Sequence, residues 1–90
     1  MNKPVTMYAS AWCGYCHRAR SLLQAKGVEF EEFVIDGNPE LRNEMIDRTG
    51  RHTVPQIFIG ALHVGGCDEL VELEHQGKLD ILLAADTNAA

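Results

Sequence analysis

The sequence lacks the features that would place it in a membrane, on nucleic acid or in a secreted disulfide scaffold. No apolar run approaches the roughly 18 residues that cross a bilayer, and residues 1–5 lack the apolar core of a secretory signal. Basic residues number 8 against 13 acidic ones, and the net charge of −5 disfavours contact with phosphate backbones. The three cysteines cannot all pair within one chain, because their number is odd. We therefore expect a cytoplasmic protein with no membrane and no nucleic-acid partner.

The length and composition indicate a single folded domain. The chain has 90 residues, of which 46% are hydrophobic and 23% charged, with no internal repeat and no low-complexity tract. Such a composition is typical of a globular protein rather than of a disordered one. We expect the domain to occupy residues 1–85 and residues 86–90 to form a flexible tail.

Glycines and prolines divide the chain into short elements in the order β-α-β-α-β-β-α. We predict strands over residues 5–9, 28–35, 56–59 and 62–64, and helices over 16–27, 39–50 and 67–75, with a further turn over 79–83. Asn38 and Pro39 suit the cap and the first position of the second helix. The first crossover joins parallel strands and the last two strands form a hairpin. The fold class is therefore α/β, with a mixed sheet of four strands.

The pair Cys13-Gly14-Tyr15-Cys16 stands where the first strand passes into the first helix. Unpaired N–H groups and the positive end of the helix dipole stabilise a thiolate at that point. Cys16 follows one turn later on the same face, where it is more buried and can attack a mixed disulfide formed on Cys13. This spacing favours a redox pair in which Cys13 is the nucleophile and Cys16 the resolving cysteine.

Two other chemistries use the same spacing. With His17 the motif also spells Cys-x-x-Cys-His, which attaches c-type haem, but that use requires export and a mostly helical domain. A structural zinc site would join Cys13, Cys16 and Cys67 to His17 or His63, although a second close cysteine pair is missing. A titration of free thiols separates these alternatives, because a redox pair is titratable in the native protein.

Further motifs accompany the cysteine pair: Tyr15 within it, Thr53-Val54-Pro55 before the third strand, Gly65-Gly66 before the last helix, and Asp68 inside that helix. Together they resemble the glutaredoxins over residues 5–83, most of all the small bacterial glutaredoxins of the third type. The resemblance implies a thioredoxin fold, a cis Pro55 that faces the thiols, and glutathione as co-substrate. The activity implied is reduction of glutathionylated proteins and protein disulfides.

The resemblance also implies how the last helix binds glutathione. Gly65-Gly66 lets a ligand approach the backbone closely, and the N–H groups of Cys67 and Asp68 bind the γ-glutamyl carboxylate at the helix N-terminus. Asp68 pairs with the γ-glutamyl ammonium group. The Cys67 side chain is expected either to pack inertly or to act as an oxidisable regulatory thiol.

The remaining contacts implied for glutathione come from the loop that holds Pro55 and from the redox pair. Val54 offers backbone groups that pair with the bound peptide as an added strand does. The glycyl carboxylate is assigned to Arg51 and Gln56, with help from His52. Tyr15 stacks over the peptide. The predicted substrate site is thus Tyr15, Arg51, Thr53, Val54, Pro55, Gln56, Gly66, Cys67 and Asp68.

Two positions depart from the pattern of the family. Ser10 stands where many glutaredoxins carry a lysine, which removes one charge contact to glutathione. Gly14 replaces the usual proline between the cysteines, a change that within the family accompanies a [2Fe–2S] cluster held between two chains. In that alternative function the ligands are Cys13 and glutathione, and Trp12 also resembles some cluster-binding members. We expect a monomer without a resident metal, and a dimer only where such a cluster is bound.

Overall fold

Four strands and four helices lie along residues 3–84, the part of the chain that the computed structural model describes. The predicted tail at 86–90 lies outside these residues. The predicted order is confirmed, and the further turn predicted near residue 80 is a short fourth helix. The elements are β1 (Val5–Ala9), α1 (Gly14–Ala25), β2 (Phe30–Val34), α2 (Pro39–Thr49), β3 (Gln56–Ile59), β4 (Leu62–Gly65), α3 (Cys67–His75) and α4 (Leu79–Leu83).

The strands form one mixed sheet in the order β2-β1-β3-β4. Strand β1 pairs in parallel with β2, with Val5 opposite Phe30, and antiparallel with β3, with Val5 opposite Ile59. Strands β3 and β4 form the predicted hairpin, which turns at Gly60 with a φ of 59°. The carboxyl ends of β1 and β2 therefore lie at the same edge of the sheet, and the segment that leads to Cys13 leaves from that edge.

Several element boundaries differ from the prediction by one or two residues, and the starts of α1 and β2 show why. Helix α1 begins at Gly14 rather than at residue 16, because the Cys13 side chain caps it. Strand β2 is shorter than predicted and begins at Phe30. Val28, at the predicted start of that strand, instead packs into the core and donates its N–H to the Leu23 carbonyl at the end of α1.

Alternate residues of the central strands supply the cores on the two faces of the sheet. Met7 and Ile57 point to the face covered by α1 and α3, whereas Tyr8 and Phe58 point to the face covered by α2. The core on the second face is partly polar at its edge, because the buried Tyr8 hydroxyl hydrogen-bonds to Glu44 and accepts from Arg48.

The helices are short and locally capped. Helix α2 begins as predicted, with the Asn38 side chain accepting from the Leu41 N–H at 3.1 Å and Pro39 in the first position. It ends at Thr49, and the next residue, Gly50, caps it in a left-handed conformation with a φ of 71°. Within residues 3–84, no helix has the length and the apolar character needed to span a bilayer.

Candidate functional site

Cys13 lies at the N-cap of helix α1, where the segment from β1 enters the helix. Its backbone is extended, and its sulfur accepts the N–H of Cys16 at 3.2 Å. The thiol also lies 3.7 Å from the carbonyl oxygen of Val54, to which it can donate. A negative sulfur at this position would receive the N–H groups of the first helical turn. The prediction that Cys13 lies at the N-terminal end of the first helix is therefore confirmed, and the structure adds that its side chain caps that helix.

Cys16 differs from Cys13 in its environment. Its side chain is completely buried against the core. Burial and the hydrogen bond with Cys13 raise the pKa of the Cys16 thiol to about 12. Cys16 therefore remains a protonated thiol at neutral pH. Cys13 is partly exposed, so it is the cysteine of the pair that solvent and substrates can reach. The expectation that Cys16 is the more buried of the two is confirmed.

Cys67, at the start of helix α3, packs in the same core and is 3% exposed. Burial raises the pKa of its thiol above the ordinary value. All three cysteines are free thiols. The side chain of Cys67 thus behaves as a packing residue, which is the first of its two predicted roles.

The peptide bond between Val54 and Pro55 is cis, as predicted. This loop contacts Cys13 on one side and the start of helix α3 on the other. A Cβ atom on Gly66 would come within 3.3 Å of the Pro55 carbonyl oxygen, and Gly65 has a φ of 116° that only glycine adopts readily. The glycine pair therefore allows the loop and the helix to approach closely.

A cavity of about 350 Å³ opens between this loop, Tyr15 of the cysteine motif and helix α3. Its lining contains every residue predicted for the substrate site, together with one that was not predicted, Glu69. The lining residues are Tyr15, Arg51, Thr53, Val54, Pro55, Gln56, Gly66, Cys67, Asp68 and Glu69.

Helix α3 presents its N-terminus to the cavity. Gly66 is the N-cap, and its N–H donates to the Glu69 carboxylate at 2.6 Å. The N–H groups of Cys67 and Asp68 belong to the first turn, which has no acceptors within the helix. The Asp68 side chain is exposed at the cavity. This end of the cavity can therefore bind an anion through N–H groups and a cation through a carboxylate.

Glu69 connects the helix to the opposite wall of the cavity. Its carboxylate accepts from the Arg51 guanidinium at 3.3 Å as well as from the Gly66 N–H. These contacts, the Gly66 N–H first, hold the pKa of Glu69 below its ordinary value. The sequence carried a signal for the contact with the Gly66 N–H, because a glutamate three residues after an N-cap often reaches back to the N–H of the cap residue.

Gln56 lines the cavity, but its amide is engaged inside the protein. The residue is 1% exposed. Its Nε2 donates to the Thr53 carbonyl at 3.0 Å, and its Oε1 lies 2.7 Å from Nε2 of His63. Burial, with help from the charge of Arg51, lowers the pKa of His63. Of the two residues predicted for the glycyl carboxylate, Arg51 is thus exposed and Gln56 is enclosed.

Of the basic residues near the redox pair, two are exposed to solvent and one forms an ion pair. His17 and Arg18 are exposed on helix α1. Arg20 forms an ion pair with Glu32 on strand β2.

Within residues 3–84, no group of three or more histidine, cysteine, aspartate or glutamate side chains is placed to hold a metal ion. The zinc arrangement considered from the sequence is therefore not assembled there.

A larger cavity, of about 550 Å³, lies beside the edge strand β4. Leu62, Leu73 and Leu82 line it together with acidic side chains of helix α3, and no cysteine borders it. This larger cavity therefore offers no thiol for disulfide exchange.

Comparisons with known proteins agree with this geometry. A sequence model of the glutaredoxin family matches residues 5–64. A glutaredoxin of Pseudomonas aeruginosa is 60% identical over 91% of the chain and 98% of its own length. Glutaredoxin 3 of Escherichia coli K12 is 58% identical over 88% of the chain and 95% of its own length. The crystal structure of a buckwheat glutaredoxin–glutathione complex superimposes with a TM-score of 0.83, at 32% identity over 90% of the chain and 76% of that protein.

Proposed function

Because the chain belongs to the glutaredoxin family of thiol oxidoreductases, we propose that it reduces glutathione mixed disulfides and some protein disulfides in the cytoplasm. Glutathione is its co-substrate. Cys13 is the nucleophile and Cys16 the resolving cysteine. The observation that carries the proposal is the contrast between a capped, partly exposed Cys13 and a buried Cys16 in one motif, whose Tyr15 lines the smaller cavity.

The first step is attack by the Cys13 thiolate on the glutathione sulfur of a mixed disulfide. A Cys13–glutathione disulfide forms, the substrate disulfide breaks, and the departing substrate thiolate takes up a proton. The N–H of Cys16, 3.2 Å from the Cys13 sulfur, stabilises the attacking thiolate. A second glutathione then attacks, which releases oxidised glutathione and restores Cys13.

The buried Cys16 acts when a protein disulfide is the substrate. After Cys13 has bonded to the protein, Cys16 attacks the Cys13 sulfur, and the departing protein thiolate takes up the proton that Cys16 loses. Two glutathione molecules reduce the resulting Cys13–Cys16 disulfide.

The cavity supports binding of glutathione by its two charged ends. The γ-glutamyl carboxylate binds the N–H groups at the start of helix α3, and its ammonium group pairs with Asp68. The exposed Arg51 guanidinium binds the glycyl carboxylate while it keeps its contact with Glu69. The backbone of Val54 pairs with the cysteinyl unit between these ends.

Replacement of each cysteine tests the proposal. The assay follows the oxidation of glutathione with a glutathionylated small disulfide and, separately, with a protein disulfide. Cys13→Ser should abolish both activities. Cys16→Ser should retain the first activity and lose the second. Full activity of the Cys13→Ser protein with either substrate would overturn the assignment of the nucleophile.

A second candidate function is a [2Fe–2S] cluster shared by two chains, with Cys13 and glutathione as ligands. Gly14 favours it, because this residue lies beside Cys13 where the space around it is open, with no atom within 4 Å of a Cβ built there. One chain offers a single accessible thiol, since Cys16 and Cys67 are buried, so the cluster needs a second chain and glutathione.

Anaerobic purification with glutathione tests the second candidate. A coloured dimer that becomes a colourless monomer in the Gly14→Pro variant would support it. A colourless monomer in the unmodified protein would exclude it.

A further inference from the structure

Trp12, directly before Cys13, is 92% exposed and packs in neither core of the sheet. We propose that Trp12 is a docking residue for protein substrates, and that it binds an apolar side chain next to the cysteine that Cys13 attacks. The inference rests on the proposed function and adds a substrate preference to it. No such role is needed for the chemistry of glutathione itself.

The two aromatic residues beside Cys13 serve different parts of a substrate. Tyr15 lines the cavity assigned to glutathione and is 59% exposed. Trp12 does not line this cavity. A ligand that fills the smaller cavity therefore leaves the indole in solvent. A polypeptide bonded to Cys13 extends beyond that cavity and meets it.

The segment that carries Trp12 is held in place. The Asp36 carboxylate accepts the Ala11 N–H and the Ser10 hydroxyl, each at 2.8 Å, and the Trp12 N–H lies 3.3 Å from the Ser10 oxygen. The backbone below the indole is thus ordered before a substrate arrives. A partner that covers the indole gains burial of a large apolar surface without having to order this segment first.

The geometry of disulfide exchange makes the docking selective for one class of substrate. In the reduction of a protein disulfide, Cys13 bonds directly to a protein sulfur, so the residues beside that sulfur lie against Trp12. In the release of glutathione from a mixed disulfide, Cys13 bonds to the glutathione sulfur, and the departing group lies on the far side of that sulfur. Trp12 therefore contributes to the first reaction far more than to the second.

Charge does not select the partner at this point. The first turn of α1 contains no acidic side chain and Arg18 is exposed there, whereas the Asp36 carboxylate lies against the segment that carries Trp12. Because charges of both signs flank the indole, its apolar surface is the feature that a substrate segment recognises.

The test compares Trp12→Ala and Trp12→Phe with the unmodified protein on two disulfide-bonded peptides. One peptide carries leucine beside its attacked cysteine and the other carries serine there. Ile81→Ala is the matched control, because Ile81 is an apolar residue that is 72% exposed on helix α4. A glutathionylated small disulfide is the third substrate, and its reduction by the unmodified protein checks the proposed function separately.

Trp12→Ala should lower kcat/KM for the leucine peptide by roughly five- to tenfold through KM, as truncation of an aromatic contact does. It should change the values for the serine peptide and the glutathionylated disulfide by less than about twofold. Trp12→Phe should retain most of the leucine preference, and Ile81→Ala all of it.

An equal loss on all three substrates, or no loss on the leucine peptide, would overturn the inference. So would a change from dimer to monomer in Trp12→Ala, measured by sedimentation, because a second copy of the chain would then be the occupant. If the unmodified protein reduces the peptides but not the glutathionylated disulfide, the proposed function fails and the docking role is still decided by the peptides.

Discussion

The carboxylate of Asp36 binds the hydroxyl of Ser10, although the two residues lie 26 positions apart. The contact follows from the parallel pairing of β1 and β2, because Ser10 and Asp36 come shortly after the carboxyl ends of these strands. The family resemblance assigned Ser10 only the loss of a charge contact to glutathione. In this protein its side chain holds the segment that leads to Cys13.

Replacement of Asp36 by alanine should lower the melting temperature in a pH-dependent way. The N–H of Ala11, followed by the Ser10 hydroxyl, holds the pKa of Asp36 below its ordinary value. The carboxylate therefore stabilises the fold above pH ~4 and loses this effect as the pH falls through the lowered pKa. Thermal melts from pH 7 to pH 2.5 should show a difference between Asp36→Ala and the unmodified protein that disappears at the acid end.

The control for this experiment is Asp47→Ala on the exposed side of helix α2, which should show no such dependence. A constant difference at all pH values would refute the role of the Asp36 carboxylate.

Alkylation of the native protein should label one cysteine rapidly. Since Cys16 has a pKa of about 12 and both Cys16 and Cys67 are buried, iodoacetamide at pH 7.5 should react with Cys13 alone. Mass spectrometry of the protein and its peptides identifies the site. Unfolding in urea should expose all three thiols. Rapid labelling of Cys16 in the folded protein, or of the Cys13→Ser variant, would contradict the prediction.

Replacement of Gly14 by proline should stabilise the fold. Gly14 is the first residue of helix α1, where the missing N–H of proline has no cost, and Cys13 before it has the extended backbone that proline requires. The smaller entropy of the unfolded chain should raise the free energy of unfolding by about 0.5–1 kcal/mol. That corresponds to roughly 2–8 °C in melting temperature. Gly14→Ala separates the effect of the ring from that of an added Cβ, and a fall in stability with proline would contradict the expectation.

Gln56 and His63 should show coupled effects on stability. Gln56→Leu removes the partner of the half-buried His63 and the hydrogen bond to the Thr53 carbonyl, which should cost about 0.5–1.5 kcal/mol. The double variant Gln56→Leu/His63→Leu should be less destabilised than the sum of the single variants. Urea unfolding measures the coupling.

The control for the buried amide is Gln76→Leu, on an exposed glutamine at the end of α3, which should change stability by less than about 0.5 kcal/mol. Additive effects of the Gln56 and His63 substitutions would refute the coupling.

Local signals in the sequence predicted the elements well. Asn38-Pro39 at the start of α2 and Gly60 in the hairpin act through the backbone of their immediate neighbours, so the sequence pattern is sufficient to place them. The cis Pro55 was predicted through the family resemblance, since the residues alone left a trans bond open. The start of α1 was placed two residues late, because a cysteine is not among the usual capping residues.

Contacts between distant segments were not accessible from the sequence. The pattern identified the residues that line the smaller cavity, but not which polar atoms are free. The Gln56 amide is engaged by Thr53 and His63, and Glu69 reaches Arg51 across the cavity. Which polar atoms are hydrogen-bonded depends on burial and on distances of a few ångströms between side chains. Residue type alone determines neither of these.

The N–H of Lys3 donates to the carbonyl of Leu83 at 2.9 Å, so the two ends of the described chain meet. Strand β1 begins beside this contact and delivers Cys13 from its other end. A domain fused next to Lys3 or Leu83 would therefore be attached on the side of the domain opposite Cys13. A circular permutant with new termini at Gly37, in the turn between β2 and α2, could be closed by a short linker across this contact.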